Sequence, residues 1–197
     1  HLERSVTRSI FFICFLVFPS LVGIVILAPI LVNVVPRYNQ WTPALIPLIF
    51  ISINFFFAAA TTQLTNLLNA IGKIKITFYL MIMWTILSWL FIPFLAGKFG
   101  VVGASVGYAL VGGSSIIAIV VARRFVKFSL TSSMIKPLIG SLVMGAVLII
   151  VKPFMALNVA SMITLTLLGS LVYGASMLSM TGLSLVNDVK RSFRMIK

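Results

Sequence analysis

The sequence predicts an all-α fold, a polytopic membrane protein of six transmembrane helices, and three observations carry that expectation. Of 197 residues, 61% are hydrophobic and only 9% charged, with a mean hydropathy of +1.21. Soluble domains carry about 25% charged residues, so too few polar groups remain here to cover a surface facing water. The apolar residues also fall in six long blocks, the pattern of successive membrane-crossing helices. The ten-residue in–out alternation of a β-barrel is absent from the sequence.

In order, the blocks are residues 9–35, 42–68, 76–95, 101–121, 137–151 and 159–180. The first is much longer than the core of a signal peptide and lacks its small-residue cleavage site. Pro19 and Pro29 are expected to kink or loosen this helix, as Pro43 and Pro47 are in the second. About 20 residues cross the hydrocarbon, so the third block just suffices and the fifth is short. Lys136 and Lys152 are expected to snorkel from the ends of the fifth block to the headgroups. Short connections make neighbouring spans antiparallel. Residues 183–197 close the chain as an amphipathic segment, with Leu185, Val186, Val189, Phe193 and Ile196 on one arc and basic residues opposite. That pattern predicts a helix lying on the inner leaflet.

A net charge of +13 suggests a nucleic-acid partner until its distribution is read. With the N-terminus placed in the cytoplasm, inner segments hold Arg4, Arg8, Lys73, Lys75, Arg123, Arg124, Lys127, Lys136, Lys190, Arg191, Arg194 and Lys197. Outer segments hold Arg37, Lys98 and Lys152. This split of twelve to three follows the positive-inside rule, with both termini cytoplasmic. The basicity orients the protein in a cell membrane and asks for no partner beyond membrane lipids, and no nucleic acid. The only acids, Glu3 and Asp188, lie outside the blocks, and the lone Cys14 allows no intrachain disulfide. Nothing resembles a metal or cofactor framework, and Cys14 reads as a small apolar filler. His1, in place of an initiator Met, suggests a fragment or a processed chain.

The stretch "NFFFAAATTQLTNLLNAIGKIK" is unusually polar for its surroundings. At about 100° per residue, Asn54, Ala58, Thr61 or Thr62, Thr65 and Asn69 share one helix face, with Asn66 at its edge. Asn66 and Asn69 fall at the headgroup level, where water solvates them. Asn54 falls near mid-membrane and needs a partner, either an interhelical hydrogen bond or a water-filled cavity. Asn54, Thr61, Thr65, Asn66 and Asn69 are therefore the candidate path-lining residues. Close helix packing is expected at "GVVGASVGYALVGG", where Gly103 and Gly107 form a GxxxG and Gly100 and Ala104 a second small pair. Ser170 and Gly174 repeat the spacing in the sixth block.

Three segments together resemble a family. In "PRYNQWTPALIPLIFISINFFFAAATTQLTNLLNAIGKIKI", Tyr38, Ala44, Asn66, Leu67, Leu68, Ala70, Gly72, Lys73 and Lys75 match the pattern of polysaccharide flippases. "IPFLAGKFGVVGASVGYAL" is similar to the family's Pro–Gly–Gly segment through Ile92, Pro93, Gly100, Gly103 and Ala104. Leu183, Ser184 and Asp188 resemble its closing segment. The likeness is to the C-terminal part of O-antigen-type flippases of the MATE-like multidrug/oligosaccharidyl-lipid/polysaccharide superfamily. It implies two lobes around a central cavity, a lipid-linked oligosaccharide substrate moved by alternating access, and a further N-terminal lobe as partner.

Other function classes fit less well. A drug or cation antiporter of the same fold generally needs an intramembrane carboxylate, and the blocks contain none. A membrane enzyme needs clustered Asp, Glu or His for acid–base work or magnesium, and these too are absent from the blocks. A non-transporting assembly protein that packs through its Gly-rich helix is the remaining alternative.

Overall fold

In hydrocarbon a helix satisfies nearly all of its own backbone, so each apolar block folds as one. The computed structural model describes residues 2–35, 38–125, 130–156 and 158–181. The predicted amphipathic segment 183–197 lies outside the described residues. The elements are α1 (Leu2–Val34), a 3-10 helix (Tyr38–Ala44), α2 (Leu45–Ala70), α3 (Ile74–Gly113), α4 (Ser115–Arg123), α5 (Leu130–Val151), a 3-10 turn (Lys152–Phe154) and α6 (Val159–Thr181).

Among the described residues five helical stretches are long and apolar enough to cross a membrane, where the sequence predicts six spans. The difference lies in the third stretch, Ile74–Arg123, which is 50 residues long and contains both the 76–95 and 101–121 blocks. Inside it Gly100 has a positive φ of 60° and a ψ of −143°. At 1.5 Å per residue, residues 92 and 107 of a straight helix would stand about 22 Å apart. A Cβ built on Gly107 would instead sit 3.1 Å from the Cα of Ile92. The chain doubles back at Gly100, and α3 is two antiparallel limbs. The sequence predicts a loop of several residues there, but Ala96–Phe99 stay helical and one residue makes the turn. Only glycine enters that backbone region without strain, which is why so short a connection works.

Gly103 and Gly107 face the first limb, and a Cβ on Gly103 would overlap the Leu95 carbonyl oxygen. Gly100 was expected to form a packing pair with Ala104, yet a Cβ built on it would meet nothing within 4 Å, and it serves as the bend. In α6 the expected Ser170–Gly174 pair is displaced by one residue. Gly174 faces open space, whereas Gly169 lies against Leu148 and Met144 of α5. The fifth helix is not short: α5 has 22 residues and runs straight through the buried Pro137. In α2 the helix proper starts at Leu45, which puts Pro47 in the first turn, where no intrahelical donor is lost.

α1 is the central helix. Ile10, Cys14 and Phe18 pack on Ala59 and Leu64 of α2 and Ala122 of α4. Further along, Ile26 and Ile30 join Met144 and Leu148 of α5 and Leu165, Tyr173 and Met177 of α6. Leu68, Leu80 and Ala118 knit α2 to the hairpin and α4. The outward surfaces are apolar as well, Trp89 being 76% exposed, as a lipid-facing surface requires. Pro19 cannot donate to the Phe15 carbonyl one turn back. The Tyr173 hydroxyl donates to that carbonyl from α6 at 2.8 Å. Helix α1 is continuous from Leu2 to Val34, with both Pro19 and Pro29 inside it.

The helix ends sort the charges. Arg8, Lys73, Lys75, Arg123, Arg124 and Lys136 lie at the end of the bundle where α1, α3 and α5 begin and α2 and α4 finish. Lys98, beside the Gly100 bend, and Lys152, after α5, lie at the other.

The hairpin gives a matched pair of substitutions. Gly103→Ala forces a methyl against backbone and is expected to cost about 1–3 kcal/mol. Gly113→Ala meets nothing within 4 Å and is expected to be neutral or slightly stabilising. Unfolding of both variants in detergent micelles, followed by thermal melting, checks the difference; equal melting points would exclude the tight hairpin.

Candidate functional site

Helix α2 carries the polar stripe, and its end fixes where the stripe lies. Gly72 takes a positive φ of 76°. The Lys73 N–H donates to the Leu68 carbonyl at 2.8 Å and the Gly72 N–H to that of Asn69 at 3.0 Å. This is the paired closure of a helix by glycine in the left-handed region. It turns the chain sharply into α3 and sets the first limb and α4 beside α2 at Leu68.

Asn54 is half-buried and donates through Nδ2 to the Tyr108 carbonyl, at 2.7 Å, on the second limb of α3. The approach depends on Gly112, because a Cβ there would lie 2.7 Å from the Asn54 Cα. A helical carbonyl has a second lone pair, so Tyr108 accepts this bond as well as the one within its helix. Thr61 and Thr65 are buried on the same side of α2. Their hydroxyls turn back on their own helix, Thr61 to the Phe57 carbonyl at 3.1 Å and Thr65 to that of Thr62 at 2.9 Å. Asn66 and Asn69 are exposed at the end of α2. The structure thus brings Asn54, Thr61 and Thr65 together as a packed seam and leaves the other two outside it.

A groove of about 700 Å³ lies elsewhere. Phe18, Val22 and Ile26 of α1 form its floor, Ile49, Ile53 and Phe56 of α2 one wall, and Leu142, Gly145 and Ile149 of α5 the other. Ser52 and Ser141 are the hydroxyls among its lining residues. Both donate to carbonyls of their own helices, Leu48 at 2.7 Å and Leu138 at 2.8 Å. The groove therefore offers hydrocarbon surface only. Its α2 wall lies about 160° around the helix from the polar stripe, so groove and stripe do not meet. Sequence reasoning passed over this groove; the small residues Ser141 and Gly145, one turn apart on α5, were its available signal.

Lys152 departs from its expected snorkelling. Its Nζ donates to the Ile26 carbonyl at 3.2 Å, at the rim of the groove. Ile26 lies in the turn before Pro29, whose missing N–H leaves the neighbouring Val25 carbonyl without its usual donor. A cation in that turn stabilises the local negative potential. Among the described residues no group of three or more His, Cys, Asp or Glu could hold a metal ion.

Neither a family model nor a curated protein matches the chain. Among solved structures it is similar to "Lipid II flippase MurJ, inward closed conformation", with a TM-score of 0.74 and 18% sequence identity. The match covers 91% of this chain and 38% of that one. At this identity the likeness is one of fold: the protein is an all-α membrane chain folded like part of a MurJ-type flippase, and it spans well under half the length of the flippase it matches.

Proposed function

We propose that the chain is the C-terminal portion of a transporter that flips polyprenyl-linked oligosaccharide across the cytoplasmic membrane for cell-surface polysaccharide synthesis. The fold likeness to a lipid II flippase over 91% of the chain is the observation that carries this reading. The Gly72–Lys73 turn and the Pro93–Gly100–Gly103 segment, where the sequence resembles polysaccharide flippases, fold as the α2–α3 turn and the hairpin and support it. In this reading the hairpin supplies two passes, so the chain crosses six times with both termini cytoplasmic. The basic end of the bundle then faces the cytoplasm.

Two lobes rocking about a midplane site are the general device of such transporters. The described spans offer no cation at mid-depth to receive a pyrophosphate, since Lys98 and Lys152 lie near helix ends. Head-group binding therefore belongs mainly to a complementary lobe, and this portion serves as one wall. A second reading, a non-transporting assembly protein, draws support from Asn54, whose amide is engaged in packing α2 on α3.

Three experiments test the proposal. Single cysteines at Asn39, Gly97 and Asn158, in a Cys14→Ala background, are expected to react with an impermeant thiol reagent outside sealed cells. Cysteines at Lys73 and Ser132 are expected not to, and the reverse pattern would overturn the orientation. Asn54→Ala separates wall from clamp. In a complemented flippase, a wall residue lowers transport while melting is retained, whereas a clamp lowers stability by about 0.6–2 kcal/mol with activity following the folded fraction. Asn66→Ala, exposed, is expected to change neither. Finally, the chain in proteoliposomes is expected to insert without translocating lipid-linked oligosaccharide, and translocation is expected once a complementary lobe is supplied. Flipping by the chain alone would refute the division of labour.

A further inference from the structure

The basic end of the bundle contains a cluster that neither the stripe nor the groove uses. Lys73 and Lys75 flank Ile74 at the α2–α3 turn, and Arg123 and Arg124 end α4 about fifty residues later in the chain. The fold brings the two segments together. Lys73 Nζ lies 5.4 Å from the centroid of the Phe125 ring, within cation–π range. Leu68, Leu80 and Ala118 hold the helices beneath them in one packed cluster. All four cations are exposed. The chain has two acids, of which Glu3 is at the start of α1 and Asp188 lies outside the described residues, so the spans themselves hold no carboxylate beside the cluster.

Four cations gathered this way repel one another and leave a strong positive potential at the end of the bundle. Below them the surface is apolar: Ile74, Phe78, Tyr79 and Phe125 are all exposed, Tyr79 by 68%. Phosphate-directed charge above an uncovered apolar helix face is complementary to a molecule with an anionic head and hydrocarbon tails.

We propose that Lys73, Lys75, Arg123 and Arg124 form a binding site for the phosphate of an anionic phospholipid, whose acyl chains lie along the first limb of α3. The site is independent of the flippase reading, because it needs only the fold of α2, α3 and α4. It differs from the diffuse attraction of any basic membrane protein in being built where two segments distant in the chain meet, at Lys73 and Phe125.

The test uses the full chain in nanodiscs of phosphatidylcholine doped with phosphatidylglycerol. Native mass spectrometry reads the ratio of the two lipids that stay with the protein. Three charge-matched variants are compared: K73Q/K75Q, R123Q/R124Q and R37Q/K98Q. Each of the first two is expected to lower phosphatidylglycerol retention about tenfold or more, and the third to leave it unchanged. The conservative K73R/K75R is expected to retain the lipid and guards against loss through misfolding. Equal loss in all three neutralised variants would show diffuse attraction and overturn the site, as would no loss in the first two or loss in K73R/K75R. Release of phosphatidylglycerol by inorganic pyrophosphate at matched ionic strength would mark a soluble anion as the ligand and overturn the lipid assignment.

Discussion

Away from water, side chains that reach backbone carbonyls on other helices are the directional contacts on which this fold depends. Pro19 takes the donor from Phe15, and Tyr173 of α6 replaces it. Asn54 reaches the Tyr108 carbonyl, Ser133 that of Thr7 and Lys152 that of Ile26. Each of these bonds joins residues 54 or more positions apart, and each uses a side chain to address a backbone. Apolar packing alone gives helices in a membrane little orientation, because lipid tails are as apolar as leucine. Directional bonds to fixed carbonyls supply the register.

Glycine makes the second contribution. Gly112 admits Asn54, and Gly103 and Gly107 admit the backbone of the facing limb. Hydrogen bond and close approach cooperate at the α2–α3 contact, since the amide reaches its carbonyl only because no side chain stands between the helices. The polar stripe is in this sense a seam. The apolar groove, by contrast, is built from α1, α2 and α5 with its hydroxyls already engaged in their own helices.

The extent to which the sequence was legible follows from these same interactions. Helices and their approximate limits depend on hydropathy over some twenty residues, a signal that no local detail erases, and the all-α membrane fold was readable from it. The hairpin was harder, because a one-residue turn at Gly100 leaves no polar loop to mark it. In the stripe, Asn54 stood out correctly as an amide in need of a partner, but periodicity does not say whether that partner is water or Tyr108. The displacement from Ser170–Gly174 to Gly169 shows the limit of spacing rules: i,i+4 pairs recur all around a small-residue helix, and the neighbour selects which face is used. Ser141 and Gly145 carried the same spacing and went unread because no polar residue drew attention to them.

The Tyr173–Phe15 bond joins residues 158 positions apart, whereas Gly103 and Leu95 are eight apart. Chain order then imposes an assembly order. The α3 hairpin can close from contacts within a single stretch as it leaves the ribosome, at little loop-closure cost. Of these helices α1 is made before the others and completed after them, with the Phe15 carbonyl waiting until α6 has been synthesised. The helix at the centre of the bundle is thus the one whose final backbone bond waits for α6, and a chain truncated before residue 173 leaves α1 with an open carbonyl in the membrane.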